Sequence, residues 1–121
     1  MNVVIYYYSL TGNTKSFASR FEDEGFEVSP IEDVIIAEPF VLLAPTYNFG
    51  EIPIDVREFL EDFSEDLRGV VGFGNRNWGE KFANAGDLIS EEYSVPLIQK
   101  VELRGTRQDF KIVIEELISW Q

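Results

Sequence analysis

The chain has 121 residues and a net charge of −12, and it contains neither Cys nor His. Its length and its 45% share of hydrophobic residues predict one compact domain over residues 1–121. The missing residue types exclude thiolate and imidazole catalysis, as well as zinc–thiolate and iron–sulfur sites. The strong negative charge argues against nucleic acid or an anionic membrane as a partner. Redox chemistry in this chain therefore needs a bound organic cofactor.

The N-terminus begins directly with an apolar run and shows no basic leader, and no apolar run approaches transmembrane length. These features lead us to expect a cytoplasmic protein.

The first part of the chain predicts a strand, a helix and a second, weaker strand. Residues 2–8 form a continuous Val, Ile and Tyr run, which is typical of a strand buried on both faces. Apolar residues at helical spacing predict a helix over 13–24, and Gly25 ends it. A short strand is expected at 26–31, before an irregular acidic connection at 32–38.

The rest of the chain repeats this alternation, with strands predicted at 40–44, 68–73 and 95–103, and helices predicted from Pro53, at 80–93 and at 108–120. Two helices carry a clear apolar set. The sets are Val56, Phe59, Leu60 and Phe63 in the helix from Pro53, and Phe110, Ile112, Val113, Leu117 and Ile118 in the last helix.

Alternating strands and helices predict a three-layer α/β domain with about five parallel strands and helices on both faces. In such a doubly wound sheet, ligands bind outside the carboxyl ends of the strands. Three chemically unusual loops, at 9–14, 46–50 and 74–79, follow predicted strands. We therefore expect the three loops to open onto one rim of the sheet.

The loop at 9–14 is rich in short hydrogen-bond donors and lies just before a predicted helix. Hydroxyls, an amide and backbone N–H groups at a helix start can converge on one anion. No Lys or Arg lies in these six positions, which favours a monophosphate over a metal-bound triphosphate. The alternative is an ordinary helix cap supplied by Thr11 or Asn13.

The other two loops combine turn-forming residues with aromatic rings. In the loop at 46–50, Asn48 and Gly50 can adopt positive φ, so a peptide group there could present either its carbonyl or its N–H to a ligand. In the loop at 74–79, the backbone exposed by glycine could approach a ligand on which Trp78 stacks. In both loops, the alternative is that the rings simply cover the core or the edge of the sheet.

The three loops carry motifs that resemble those of known proteins. The pattern Ser9-x-Thr11-Gly12-x-Thr14 alone is similar to the phosphate loop of flavodoxins in general. More specific patterns are Tyr7-x-Ser9-x-Thr11-Gly12-Asn13, Thr46-x-Asn48-Phe49-Gly50, Gly74-Asn75-x-x-Trp78-Gly79, Phe82-Ala83 and Leu103-x-Gly105-Thr106. Together these patterns resemble the NrdI family, the flavodoxin-like partner of class Ib ribonucleotide reductase.

The resemblance implies a flavodoxin-like sheet with strand order 2-1-3-4-5 and FMN on its rim, without a metal. It implies that Ser9, Thr11, Gly12, Asn13 and Thr14 bind the phosphate. The ring and its N5 edge would lie beside Thr46, Tyr47, Asn48, Phe49 and Gly50. The pyrimidine side would lie beside Gly74, Asn75, Asn77, Trp78 and Gly79, with Trp78 stacked on the ring.

The resemblance also implies a function. In that family, FMN reduced by an electron-donating reductase reacts with dioxygen, and the superoxide is delivered to NrdF, where it generates the dimanganese-tyrosyl radical cofactor. The chain would then be an activating factor rather than an enzyme with a free substrate. The alternatives are a conventional flavodoxin that carries single electrons, and a flavodoxin-like binding module that holds no flavin.

The charges of the ring loops lead to a prediction about the flavin. These loops carry no carboxylate before Glu51, and Arg76 lies in one of them. A less negative site penalises a reduced, anionic flavin less, so we expect the two one-electron steps to lie close together in potential. A potentiometric titration checks this expectation, and a second step far below the first would contradict it.

Overall fold

Five parallel strands form a single sheet in the computed structural model. The structure describes residues 2–121, so Met1, the first residue of the predicted domain, lies outside the described residues. The strand order is β2-β1-β3-β4-β5, and every neighbouring pair is parallel. The predicted order 2-1-3-4-5 is therefore confirmed. The strands are β1 (Val4–Tyr7), β2 (Val28–Pro30), β3 (Phe40–Pro45), β4 (Leu67–Gly74) and β5 (Leu97–Glu102).

Four α-helices connect the strands or follow them. They are α1 (Asn13–Asp23), α2 (Ile54–Phe63), α3 (Asn84–Tyr93) and α4 (Arg107–Ser119). Short 3₁₀ turns occupy Ile31–Asp33, Ser64–Asp66 and Arg76–Lys81. Within residues 2–121, no helix is long and apolar enough to span a bilayer.

The central strand β3 sends alternate side chains into two separate hydrophobic clusters. Phe40, Leu42 and Ala44 pack with the apolar sides of α2 and α3, whereas Val41 and Leu43 pack with those of α1 and α4. All six residues of β3 are buried, as the period of two requires when both faces of a sheet are covered. This arrangement is the predicted three-layer α/β architecture.

The helix predicted at 80–93 begins later than expected, at Asn84. Gly79 has φ 57° and ψ −121°, and Ala83 has φ 51°, so neither residue can continue a right-handed helix. Residues 76–81 instead form 3₁₀ turns. Residues 80–83, predicted as the first turn of a helix, are therefore part of the loop that follows β4.

The apolar set predicted for the last helix was wrong at two positions. Ile112 and Ile118 are 36% and 56% exposed. The residues that pack on the core are Phe110, Val113, Ile114, Leu117 and Trp120, which follow the expected helical spacing with Ile114 in place of Ile112.

The start of α4 is held by a capping box that yields a pH-dependent prediction. The Thr106 hydroxyl accepts from the Asp109 N–H at 3.1 Å, and the Asp109 carboxylate accepts from the Thr106 N–H at 2.9 Å. Burial raises the pKa of Asp109, but hydrogen bonds from Gln99 and Thr106 outweigh it and leave the pKa below its ordinary value of 3.8.

We expect Asp109→Asn to lower the free energy of unfolding by about 1 kcal/mol at neutral pH, because the charged half of the capping box is lost. The folded pKa is depressed, so the carboxylate stabilises the fold fully above pH 3.8 and loses this effect as the pH falls through the folded value. Urea unfolding at pH 7 and near pH 3 measures the difference in unfolding free energy between Asp109→Asn and the unmodified chain at each pH. The control Asp23→Asn, at the exposed end of α1, should not destabilise the protein, and an equal loss in both variants would contradict the assignment.

Candidate functional site

The loops that follow β1, β3 and β4 line one pocket of about 220 Å³. Eight of the residues singled out from the sequence lie on its wall: Thr11, Asn13, Thr14, Thr46, Asn48, Gly74, Asn75 and Trp78. The wall also contains six residues that were not among the predicted site residues, although two of them, Ala83 and Leu103, lie in matched motifs: Leu10, Pro45, Phe73, Lys81, Ala83 and Leu103. The other predicted site residues lie in the same loops but not on the wall: Ser9, Gly12, Tyr47, Phe49, Gly50, Asn77 and Gly79.

The loop at 9–14 presents the start of α1 to the pocket. Gly12 is the N-cap residue, in a left-handed conformation, and as a glycine it supplies no side-chain cap. The Ser9 hydroxyl instead accepts from the N–H groups of Gly12 at 3.0 Å and Lys15 at 3.3 Å. The backbone N–H groups of Asn13 and Thr14, the first two helical residues, have no acceptor within the helix. Capping by Thr11 or Asn13, the alternative considered for this loop, does not occur.

Thr14 is the one buried polar residue in the described chain, with 2% of its surface exposed, and it lies on the pocket wall. A Cβ built on the neighbouring Gly12 would meet no other atom within 4 Å. The start of α1 therefore combines the hydroxyl of a buried threonine with open space beside the N–H groups of the first helical turn. This combination suits a compact anion.

The loop at 46–50 is a tight turn whose two ends are attached to α3. Tyr47 and Glu51 exchange two backbone hydrogen bonds of 2.7 Å. The Thr46 hydroxyl accepts from the Ala85 N–H at 3.1 Å, and the Asn84 side-chain amide donates to the Gly50 carbonyl at 2.8 Å. Any rearrangement of this loop is thus concentrated at its tip, between residues 48 and 50.

Phe49 and Trp78, from two different loops, contact each other at the mouth of the pocket. Their ring centroids are 5.4 Å apart with an interplanar angle of 90°, which is an edge-to-face contact. Phe49 is 76% exposed and Trp78 is 49% exposed. Two large rings in water mark a surface that suits a flat, partly apolar ligand or a protein partner.

Arg76 does not contribute its charge to the pocket. Its guanidinium lies 4.6 Å from the centroid of the Phe82 ring, and its Nε lies 3.4 Å from a carboxylate oxygen of Glu102. The other oxygen of Glu102 accepts from the Arg76 N–H at 3.2 Å. Arg76 therefore anchors the loop after β4 to the end of β5, and it lies outside the pocket wall.

The same loop approaches α3 too closely for a side chain at position 74. A Cβ built on Gly74 would lie 2.6 Å from the Ala83 nitrogen, a distance that real Cβ atoms do not show. Glycine at this position lets the end of β4 contact the start of α3 directly. The contact keeps residues 75–82 folded over the mouth of the pocket.

One of the missed wall residues, Leu103, could have been assigned to the site by a signal already in use. Leu103 follows the carboxyl end of β5, so the topological rule applied to the other loops also covers it. Lys81 was hidden because its position was assigned to a helix. By contrast, the roles of Asn84 and Glu102 depend on long-range contacts that residue spacing does not reveal.

A groove beside the site is lined by the carboxylates of Glu32, Asp55, Glu58 and Asp62. The Tyr8 hydroxyl donates to Asp55 at 2.6 Å, and this hydrogen bond, with burial, raises the pKa of Tyr8. Among residues 2–121, no group of three or more acidic side chains has a geometry that could hold a metal ion.

Solved structures that share this fold include flavodoxins. Oxidised flavodoxin 1 from Bacillus cereus superposes with a TM-score of 0.72 at 19% identity, covering 100% of this chain and 99% of that one. The flavodoxin of Fusobacterium nucleatum bound to flavin mononucleotide gives a TM-score of 0.59 at 20% identity, covering 80% of this chain and 69% of that one. At these identities, the likeness establishes the fold.

Sequence comparison identifies the family. The family described as NrdI flavodoxin-like matches residues 5–115. Protein NrdI of Macrococcus caseolyticus is 44% identical over 119 residues, which cover 95% of this chain and 91% of that protein. The chain belongs to the NrdI family of flavodoxin-like proteins.

Proposed function

We propose that this chain is a cytoplasmic FMN-binding redox protein that supplies superoxide to NrdF, the small subunit of class Ib ribonucleotide reductase. The observation that carries the proposal is the pocket whose wall joins the start of α1 to Trp78, against which the exposed Phe49 lies. One end suits an anion and the other suits a flat ring. Membership of the NrdI family supports the same assignment.

The residues at the start of α1 fit a phosphate. The free N–H groups of Asn13 and Thr14, the hydroxyls of Thr11 and Thr14, and the positive end of the helix dipole can all interact with an anion there. The Ser9 hydroxyl accepts from two N–H groups of the loop and fixes its shape. We assign these residues to the phosphate of FMN.

The other end of the pocket fits an isoalloxazine ring. Trp78 and Asn48 lie on its wall, and Asn75 can offer hydrogen bonds to a polar ring edge. The edge-to-face contact of Phe49 with Trp78 leaves no gap for a ring stacked between them, because a sandwich needs about 7 Å between the outer rings, given close contacts of about 3.5 Å on each face. We therefore expect Phe49 to move when FMN binds.

When bound, FMN would supply the one-electron chemistry through which electrons from a reductase could reduce dioxygen to superoxide. The residues of this chain orient the ring and leave one edge accessible. Thr46 and Asn84 hold the ring-edge loop against α3, while Asn48 at its tip is exposed. That exposed tip is where we expect dioxygen to reach the flavin.

The surface around the pocket suits a protein partner. Leu10, Phe49, Trp78 and Leu103 are all at least 44% exposed. Apolar side chains clustered around a cofactor edge are typical of an interface. We propose that NrdF binds here, so that superoxide has a short path to the manganese site.

The decisive experiment combines the reduced, FMN-loaded protein with manganese-loaded NrdF and then admits oxygen. We expect a tyrosyl radical in the electron paramagnetic resonance spectrum, and no radical when oxygen or the flavoprotein is left out. No radical formation together with normal reduction of cytochrome c would instead favour a conventional one-electron carrier. A purified chain that binds no FMN would leave only the flavin-free binding module.

A second prediction concerns the ring stack. Trp78→Ala should weaken FMN binding by about 1 kcal/mol, or roughly fivefold, because the indole face is lost. Titration of the apoprotein with FMN, followed by flavin fluorescence, measures the affinity. The control Trp120→Phe, which replaces the other Trp on the far end of α4, should bind FMN as the unmodified chain does. Equal affinity in Trp78→Ala would show that Trp78 only covers the loop.

A further inference from the structure

Lys81 is the single charged side chain on the pocket wall among the described residues 2–121. The chain as a whole carries 22 acidic and 10 basic residues, so a wall without carboxylates and with one ammonium group departs from the average surface. From the sequence, Arg76 is the residue expected to carry positive charge in the ring loops. In the structure, Lys81 and not Arg76 lies on the pocket wall.

The aliphatic part of Lys81 packs against the loop at 46–50. A Cβ built on Gly50 would lie 3.0 Å from Lys81 Cδ and 3.1 Å from the Asn84 amide nitrogen. Gly50 is buried although the neighbouring Phe49 is exposed, because these two side chains cover it. Lys81 is therefore held beside the loop to which we assign the ring edge of FMN.

The charge of Lys81 is not neutralised by an ion pair within the described residues. The two basic residues that flank the nearby Phe82 ring are both paired, Arg76 with Glu102 at 3.4 Å and Lys100 with Asp87 at 2.6 Å. Lys81 forms no such pair in residues 2–121. The adjacent carboxylates Glu51 and Glu80 lie outside the pocket wall.

We propose that Lys81 tunes the redox potential of the bound flavin by stabilising the negative charge that the ring gains on full reduction. This inference rests on the proposed FMN site. The physical basis is the attraction between the ammonium group of Lys81, which is exposed on the pocket wall, and a ring that becomes anionic on full reduction.

The test compares Lys81→Met with the unmodified protein. Met keeps an unbranched apolar stem against Gly50 but removes the charge. We expect the affinity for fully reduced FMN, relative to the one-electron-reduced form, to fall about tenfold. For a one-electron step, a tenfold change equals 59 mV, so the second potential should be lower by about that amount in a potentiometric titration.

Two controls separate the charge from other effects. Lys81→Arg restores a positive charge and should recover most of the potential. Lys111→Met makes the same change in net charge on the exposed face of α4. It should shift neither potential by more than the equivalent of a twofold change in FMN affinity. The affinity of Lys81→Met for oxidised FMN should change less than threefold, because the oxidised ring is neutral.

The possible failures are distinguishable. If the unmodified chain binds no FMN, the proposed function fails and this inference fails with it. If FMN binds but the second potential of Lys81→Met equals that of the unmodified protein, this inference alone is overturned. An equal fall in Lys111→Met, or a loss of oxidised FMN binding that matches the loss of reduced FMN binding, also overturns it.

Discussion

The pairing of β3 with β1 on one side and β4 on the other determines where every part of the site lies. Tyr7 pairs with Leu43, and Pro45 pairs with Phe73, so the three strands end at the same edge of the sheet. Because β3 is buried on both faces, a shift by one residue would move its side chains from one hydrophobic cluster to the other. The register that protects the core therefore also fixes the distance between the loops.

Most of the fold could be predicted because its signals are local. Continuous Val and Ile runs indicate buried strands, and the alternation with amphipathic helices leaves few topologies. The convergence of three loops on one pocket follows from the same topology. Errors arose where local and tertiary signals compete: residues 80–83 contain ordinary helix formers, yet Gly79 and Ala83 adopt left-handed backbone conformations because the loop must fold back over the end of β4.

The charges of the site were harder to predict than its position. Arg76 and Glu102 are 26 residues apart, and only the pairing of β4 with β5 brings them together. Lys81 was not predicted as a site residue because its position was assigned to a helix, although its aliphatic side chain lies against Gly50. The sequence supported the view that the pocket is less negative than the rest of the chain. The residue responsible could be identified only from tertiary contacts.

The contact between Phe49 and Trp78 affects how tightly any flat ligand is held. An edge-to-face pair is worth about 0.5–1.5 kcal/mol beyond its buried area, so a ligand that separates the rings must first overcome their mutual attraction. The measured affinity is then the difference between two stacking energies rather than the full strength of either one. Each of the two rings competes with the ligand for contact with the other ring. Their mutual contact also leaves less apolar area exposed than two isolated rings would. Opening the pair is therefore part of the energetic cost of placing a flat ligand between the two rings.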